Sequence, residues 1–298
     1  MPVTGEIPKP LFRSVEGKEQ YREAYTKALT LWTVPFEELD VATRFGATHV
    51  LVAGRANDRP IVLLHSAQAS STMWFPNIEA LSRNNRVVAV DFLLEVGKSK
   101  LEKAIRTRAD LASWLTELLD NLQLEEVDIV GISRGAWNAL ALALVIPQRI
   151  RNLVLLSPAQ TFTPVRNLRF LLGTIRCSFF PSERAIRALS RIAFHDPERV
   201  PDLFLKQYAL GLQHFNLANG IYLPPSLFPD EDLRRLKTRT LLMIGDHDVV
   251  NTRESIEKAM RLIPGIETEI VPAAGHILTM DRAEYVNGRI IEFLARRR

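Results

Sequence analysis

One cysteine, Cys177, is the only thiol in this chain of 298 residues, so no disulfide can form within it. That excludes a disulfide-stapled secreted scaffold and makes a reducing compartment the simpler expectation. Cys177 lies in no recognisable catalytic setting and reads as a buried or partly buried inert thiol. Long apolar runs are also missing, for no segment approaches the roughly 20 residues that cross a bilayer. The N-terminus carries Pro2, Pro8 and Pro10 without an apolar core, which is not the pattern of a signal peptide. A soluble, cytoplasmic protein without a membrane span is expected. There is no glycine-rich phosphate loop, no metal-ligand spacing and no cysteine pair, so neither cofactor nor metal is implied. Basic residues are scattered, and the net charge is only +4. The one dense basic run, Arg296-Arg297-Arg298, reads as a solvated tail at a helix C-terminus, where cations are favoured anyway. A nucleic-acid partner is not expected. Internal repeats and low-complexity stretches are absent.

What is present is an ordinary globular balance, 47% hydrophobic and 24% charged, on a chain long enough for a large core. Glu19 to Trp32 places Tyr21, Tyr25, Ala28, Leu29 and Trp32 at helical spacing, ended by Pro35. Leu39–Phe45 and Thr48–Ala53 flank Gly46 and predict a hairpin. Pro60 to His65 is a continuous apolar run, as suits a strand covered on both faces. Strands and helices then alternate. Arg86–Phe92, Val127–Val130 and Leu153–Leu156 read as strands. Thr107 with Asp110 caps the helical stripe Leu111 to Leu122, and Ala136–Val145 is a nearly all-apolar helix. From Ala159 to about Lys237 the alternation stops, leaving short helical patterns such as Ala185–Ile192 and scattered aromatics. It resumes with the strand Thr240–Ile244, a helix Arg253–Ile263 capped by Asn251 and Glu254, the strand Glu267–Val271 and the helix Ala283–Leu294. The pattern predicts an α/β fold: a mostly parallel twisted sheet with an antiparallel N-terminal hairpin, helices on both faces and one helical insertion. Its divisions are an N-terminal extension (residues 1–36), a core in two parts (37–158 and 238–298) and the insertion (159–237). In such sheets ligands bind beyond the carboxyl ends of the strands.

The chemistry is concentrated there. Gly131-Ile132-Ser133-Arg134-Gly135 lies between a strand and a helix. A sharp turn at that point forces the serine into a strained conformation, requires small neighbours and raises the hydroxyl beside a helix N-terminus. By itself the pentapeptide is a modest signal; its position at the junction strengthens it. A serine needs a base. His276, in Ala273-Ala274-Gly275-His276 just past a strand, falls on the same sheet edge. The other histidines, His49, His65, His195, His214 and His247, default to structural roles. The base needs an anion, and Gly245-Asp246-His247-Asp248 offers two. Asp248 lies further into the loop and can reach across the edge, while Asp246 reads as a turn residue. An Asp-His-Asp metal site is a weak alternative, since no further ligands accompany it. For a tetrahedral oxyanion, the donors expected are the Arg134 amide and an amide of the loop after His65, taken as that of Ala67.

The chain order Ser133, Asp248, His276 matches the α/β-hydrolase type. Over nearly its whole length the sequence resembles that superfamily and is most similar to a bacterial carboxylesterase-like branch with an N-terminal helix. The resemblance rests on Ile61-Val62-Leu63-Leu64-His65, Met73-Trp74-Phe75-Pro76-Asn77, Val90-Asp91 with Gly97-Lys98-Ser99, the Ser133 turn, Leu153 to Pro158, Ile244 to Asp248, and Gly275-His276. It implies the acid at Asp248 and makes the insertion a cap over the site. Two departures stand out. Ser66 follows His65 where the family usually has glycine, and Leu94 and Val96 replace small residues after Asp91. The expected function is hydrolysis of a small, apolar carboxylic ester, lactone or thioester through an acyl-enzyme. Two alternatives stay open: the same triad turned to C–C hydrolysis, lyase or cyclase chemistry, or a non-catalytic homologue that binds a small molecule. The apolar insertion residues Phe170, Leu171, Leu172, Phe179 and Phe180 either line an acyl pocket or pack the cap onto the core.

Overall fold

The structure, a computed structural model, describes residues 10–216 and 223–296. Pro2, Pro8, Arg297 and Arg298, which enter the readings of the two termini, lie outside the described residues. The chain opens with α1 (Val15–Ala28) and the hairpin β1 (Phe36–Thr43) and β2 (Gly46–Ala53). Then come β3 (Arg59–Leu64), α2 (Ile78–Ser82), β4 (Asn85–Val90) and the two-residue β5 (Lys100–Leu101). The core continues with α3 (Arg108–Asn121), β6 (Val127–Ile132), α4 (Arg134–Val145) and β7 (Ile150–Leu156). Among the described residues the segment between β7 and β8 contains α5 (Leu168–Phe179), α6 (Glu183–Ala193), α7 (Asp202–His214) and a helix at Asp230–Arg235. The chain closes with β8 (Arg239–Gly245), a helix at Arg253–Leu262, β9 (Glu267–Val271) and helices at Leu278–Asp281 and Ala283–Ala295.

The strands form one sheet in the order β1-β2-β4-β3-β6-β7-β8-β9, with β5 on β2. Pairing is antiparallel from β1 through β2 to β4 and parallel from β4 to β9. Because side chains alternate along a strand, the apolar runs divide between two cores. Val62, Leu64, Ile129, Leu153, Leu155, Leu242 and Ile244 face α3, α4 and the helix Arg253–Leu262. Ile61, Leu63, Val130, Ile132, Val154, Leu156, Leu241 and Met243 face α1, α2 and the C-terminal helix. The apolar runs Ile61–Leu64, Ile129–Ile132, Leu153–Leu156 and Leu241–Ile244 within these strands are therefore the mark of a sheet covered on both sides.

Three local expectations shift. The first helix begins at Val15 rather than Glu19, because Ser14 accepts from the Gly17 N–H and starts it early. Val15 is 80% exposed, so hydrophobic periodicity could not register that turn. Gly46 is not the hinge of the hairpin; Arg44 and Phe45 turn the chain, and Gly46 opens β2 with φ +128°. Glycine is needed there because a Cβ would lie 2.0 Å from the Lys100 carbonyl oxygen. The helix Arg253–Leu262 is capped by Thr252 with Ser255, not by Asn251 with Glu254. Asn251 is instead engaged with Asp248, as described below.

Candidate active site

All strands from β4 to β9 are parallel, so their carboxyl ends share one edge, and the loops leaving β6, β8 and β9 there carry Ser133, Asp248 and His276. At the end of β6 the backbone turns sharply into α4. Ser133 has φ 53° and ψ −112°, a conformation that side chains rarely adopt, and its N–H donates to Leu156 O at 2.9 Å. The flanking glycines have distinct reasons. A Cβ on Gly131 would lie 2.4 Å from Gly135 O, and one on Gly135 would lie 2.0 Å from Leu64 O in β3. Both contacts are with backbone, which cannot swing aside.

Ser133 Oγ lies 2.9 Å from His276 Nε2, and His276 Nδ1 lies 3.0 Å from Asp248 Oδ1. The Asp248 carboxylate also accepts from the Val250 N–H at 2.8 Å and from the Asn251 side-chain amide at 3.0 Å. Burial pushes the Asp248 carboxyl up, but the adjacent His276 and these hydrogen bonds outweigh it and hold it below the usual carboxylate range. An ionised Asp248 fixes the proton on His276 Nδ1, leaving Nε2 free to accept from the serine hydroxyl. Asp246, two residues earlier, accepts from the Ala273 and Ala274 N–H groups and so shapes the loop that leads to His276.

The loop after β3 holds Ser66, Ala67, Gln68 and Ala69. Ser66 N–H is directed at Met73 Sδ, Gln68 N–H at Glu95 Oε2 and Ala69 N–H at Ser66 O. Among the described residues the Ala67 N–H has no acceptor. Arg134 is the first residue of α4, where helix geometry leaves the N–H without a partner inside the helix. Ser66, Ala67 and Ser133 line one cavity together. His65 is structural: Nδ1 bonds Ser66 O at 2.8 Å while Nε2 accepts from the Phe92 N–H at 3.0 Å, which pins the loop to the end of β4. Leu94 and Val96 are buried; Leu94 belongs to the core on the α3 and α4 side, and Val96 packs against Gly211 of α7 in the insertion.

The cavity above Ser133 encloses about 120 Å³ and is walled mainly by apolar side chains. Met73 and Met280 come from the core, and Phe170, Leu189, Phe204 and Tyr208 from the insertion. The Phe170 ring meets the His276 ring edge-on at 5.8 Å. Of the apolar insertion residues noted in the sequence, Phe170 reaches the cavity, whereas Leu172, Phe179 and Phe180 are 56%, 68% and 76% exposed and fill neither anticipated role. Cys177 is buried between α5 and α6, and burial pushes its thiol up, away from the reactive thiolate.

Sequence reasoning overlooked two carboxylates. Asp281 is 2% exposed and accepts from the N–H groups of Gly275 at 2.8 Å, His195 at 3.0 Å and Asp196 at 3.0 Å. His276 N–H donates in turn to Ala193 O at 2.7 Å. The loop of the imidazole is thereby stitched to the end of α6. Glu95 does the same for the loop of Ala67 through Gln68, whose side chain continues to Ser178 of α5 at 3.2 Å. Glu95 stands alone in the apolar stretch Phe92 to Val96, a signal available beforehand; Asp281, with Arg282 beside it, carries none.

A doubly covered, largely parallel sheet with a serine at a strained strand-to-helix turn defines the α/β-hydrolase class of enzymes. The sequence profile of the alpha/beta hydrolase family matches residues 61–289, and the chain belongs to that family. It is 33% identical over 284 residues to an uncharacterised carboxylesterase of Bacillus subtilis, covering 92% of each chain. It is 32% identical to the carboxylesterase YbfK of the same organism, covering 95% of this chain and 96% of that one. The crystal structure of naproxen esterase (carboxylesterase NP) from Bacillus subtilis superposes with a TM-score of 0.88 at 32% identity, covering 95% of this chain and 99% of that one.

Proposed function

We propose that this enzyme is a carboxylesterase-like serine hydrolase that cleaves small apolar carboxylic esters, or the related lactones and thioesters, through an acyl-enzyme. The observation that carries the reading is the unbroken relay from Ser133 Oγ to His276 Nε2, and from His276 Nδ1 to Asp248. In the first half-reaction His276 takes the hydroxyl proton as Ser133 attacks the ester carbonyl, and Asp248 stabilises the imidazolium. The negative oxygen of the tetrahedral intermediate is received by the free N–H groups of Ala67 and Arg134. Collapse expels the alcohol, which takes its proton from His276. Water, activated by the same imidazole, then releases the acid. The chemistry needs no cofactor.

Substrate size follows from the cavity. About 120 Å³ approaches the roughly 150 Å³ that accommodates benzene, so a short acyl chain or one ring fits, and larger groups require α5 or α6 to move. Helices α5 to α7 act as the cap, residues 159–237 being the cap unit between the two parts of the core. Among the described residues no helix is long and apolar enough to cross a membrane, and a cytoplasmic location is the reading we adopt. A fluorophosphonate probe should label the protein at Ser133, and Ser133→Ala should abolish both labelling and turnover of p-nitrophenyl acetate. A folded wild-type protein that neither reacts with the probe nor turns over any ester would overturn the assignment.

A further inference from the structure

Helix α5 presents distinct chemistry on separate faces. Phe170 and Thr174 line the cavity over Ser133, and Cys177 is buried against α6. On the opposite side stand Leu168, Leu172, Ile175 and Phe179, followed by Phe180, and these are 65%, 56%, 53%, 68% and 76% exposed. At about 100° per residue the first four fall within an arc of roughly 60°. They form one continuous apolar stripe left exposed among the described residues, a feature that water-facing surfaces seldom keep without a use. Arg169 and Arg176 flank the stripe, and Arg184 and Arg191 lie on α6 of the same hairpin. All four are exposed and none has an ion-pair partner among the described residues.

The charge pattern selects the occupant. Helix α5 contains no acidic residue, and the one on α6, Glu183, is already paired with Arg187. A second copy docking across a two-fold axis would bring the same arginine flanks together, and like charges would oppose the contact. A surface that is apolar inside and anionic outside matches both the stripe and the arginines.

We propose that the outer face of α5 docks this enzyme peripherally on anionic lipid surfaces, with Leu172, Ile175 and Phe179 entering the acyl boundary and Arg169 and Arg176 meeting the headgroups. Granted the ester-cleaving reading, docking sets a cavity-lining helix at the boundary where apolar esters collect.

The test is co-sedimentation with phosphatidylglycerol-containing vesicles and with pure phosphatidylcholine vesicles at fixed salt. Wild type is expected to partition at least about tenfold more strongly onto the anionic vesicles. The variants Leu172→Gln/Phe179→Gln and Arg169→Gln/Arg176→Gln should each lose about tenfold in partitioning. Neither pair lies in the catalytic machinery, so hydrolysis of a water-soluble ester should be unchanged. Absence of wild-type binding, or binding that Leu172→Gln/Phe179→Gln leaves intact, would overturn the proposal, the latter by reducing it to general attraction of a cationic protein. So would a dimer, seen by sedimentation equilibrium, that this apolar pair dissociates, since the stripe would then belong to a second copy. Partitioning is read by sedimentation rather than turnover, and stands or falls independently of the chemistry at Ser133.

Discussion

Replacing Asp281 by asparagine tests whether the loop of His276 is held by one buried carboxylate. In the wild type Oδ2 receives the Gly275 and His195 N–H groups and Oδ1 receives that of Asp196. Asparagine fits the same space but has one acceptor oxygen. With that oxygen placed in the Oδ2 position, two bonds survive without the charge, and the third becomes an NH₂ group facing an N–H. Hydrogen bonds to a charged partner contribute about 1.5–3 kcal/mol each, and neutral ones about half as much. The exchange should therefore destabilise the fold by roughly 2–4 kcal/mol, a fall of about 3–6 °C in Tm for a domain of this size. The catalytic effect is separate. Gly275 immediately precedes His276, and a displacement of about 1 Å at a reacting group can cost on the order of 100-fold in rate. We expect kcat for a p-nitrophenyl ester and the rate of fluorophosphonate labelling to fall together at 15 °C, where the variant remains folded. KM, governed by the cavity walls, should stay within about threefold. A lower Tm with unchanged kcat would leave Asp281 a purely structural residue and refute the positioning argument. Unchanged Tm and kcat together would deny these hydrogen bonds any weight.

Asp248→Asn should lower kcat by about 10⁴-fold, since the imidazole would lose its fixed tautomer. Because Asp248 titrates below the usual carboxylate value, its stabilising contribution is present above about pH 4 and is lost as pH falls through the depressed value. The difference in melting temperature between wild type and Asp248→Asn should therefore shrink in acid, as calorimetry across pH would show. Glu95 has the opposite sign: burial pushes its carboxyl up, and Arg134 and the Gln68 N–H only partly offset this. Stability then declines as pH rises from the ordinary glutamate value toward the raised one, and Glu95→Gln, which keeps an acceptor for Gln68, should raise Tm more at pH 7 than at pH 4. A gain independent of pH would contradict that direction. Gly135→Ala places a Cβ 2.0 Å from Leu64 O, so the Ser133 turn must separate from β3; a loss of more than about 4 kcal/mol is expected, and a denaturant midpoint near the wild-type value would show that the backbone yields easily.

How far such features are legible in the sequence depends on whether their causes are local. The two-faced sheet is readable because the runs Ile61–Leu64, Ile129–Ile132, Leu153–Leu156 and Leu241–Ile244 carry no polar side chain on either face, and only coverage on both sides permits that. Ser133, Asp248 and His276 could be named because each follows a recognisable strand, and parallel strands bring their carboxyl ends to one edge. Asp281 and Glu95 could not, since their partners are backbone N–H groups, which every residue carries. The outer stripe of α5 was hidden for a related reason. Leu168, Phe170, Leu171, Leu172 and Ile175 are apolar around most of the helix, and periodicity does not say which arc meets the core.

Ser66 shows the same limit at the scale of one residue. The sequence marks it as a departure, because glycine at that place in the family lets the backbone fold toward the oxyanion. Here the left-handed conformation falls instead at Gln68, with φ 58°, and Ser66 is not among the described residues with positive φ. The strained turn is retained by the bond from Gln68 N–H to Glu95, while Ser66 N–H is occupied by Met73 Sδ. Serine therefore meets no backbone penalty, and the amide left free is the next one, that of Ala67. Ser66→Gly should accordingly leave kcat for a small ester within about threefold and, by loosening the unfolded chain, lower Tm slightly. A large rise in kcat would show that the serine does constrict the loop, and that the free amide of Ala67 is not enough to account for the site.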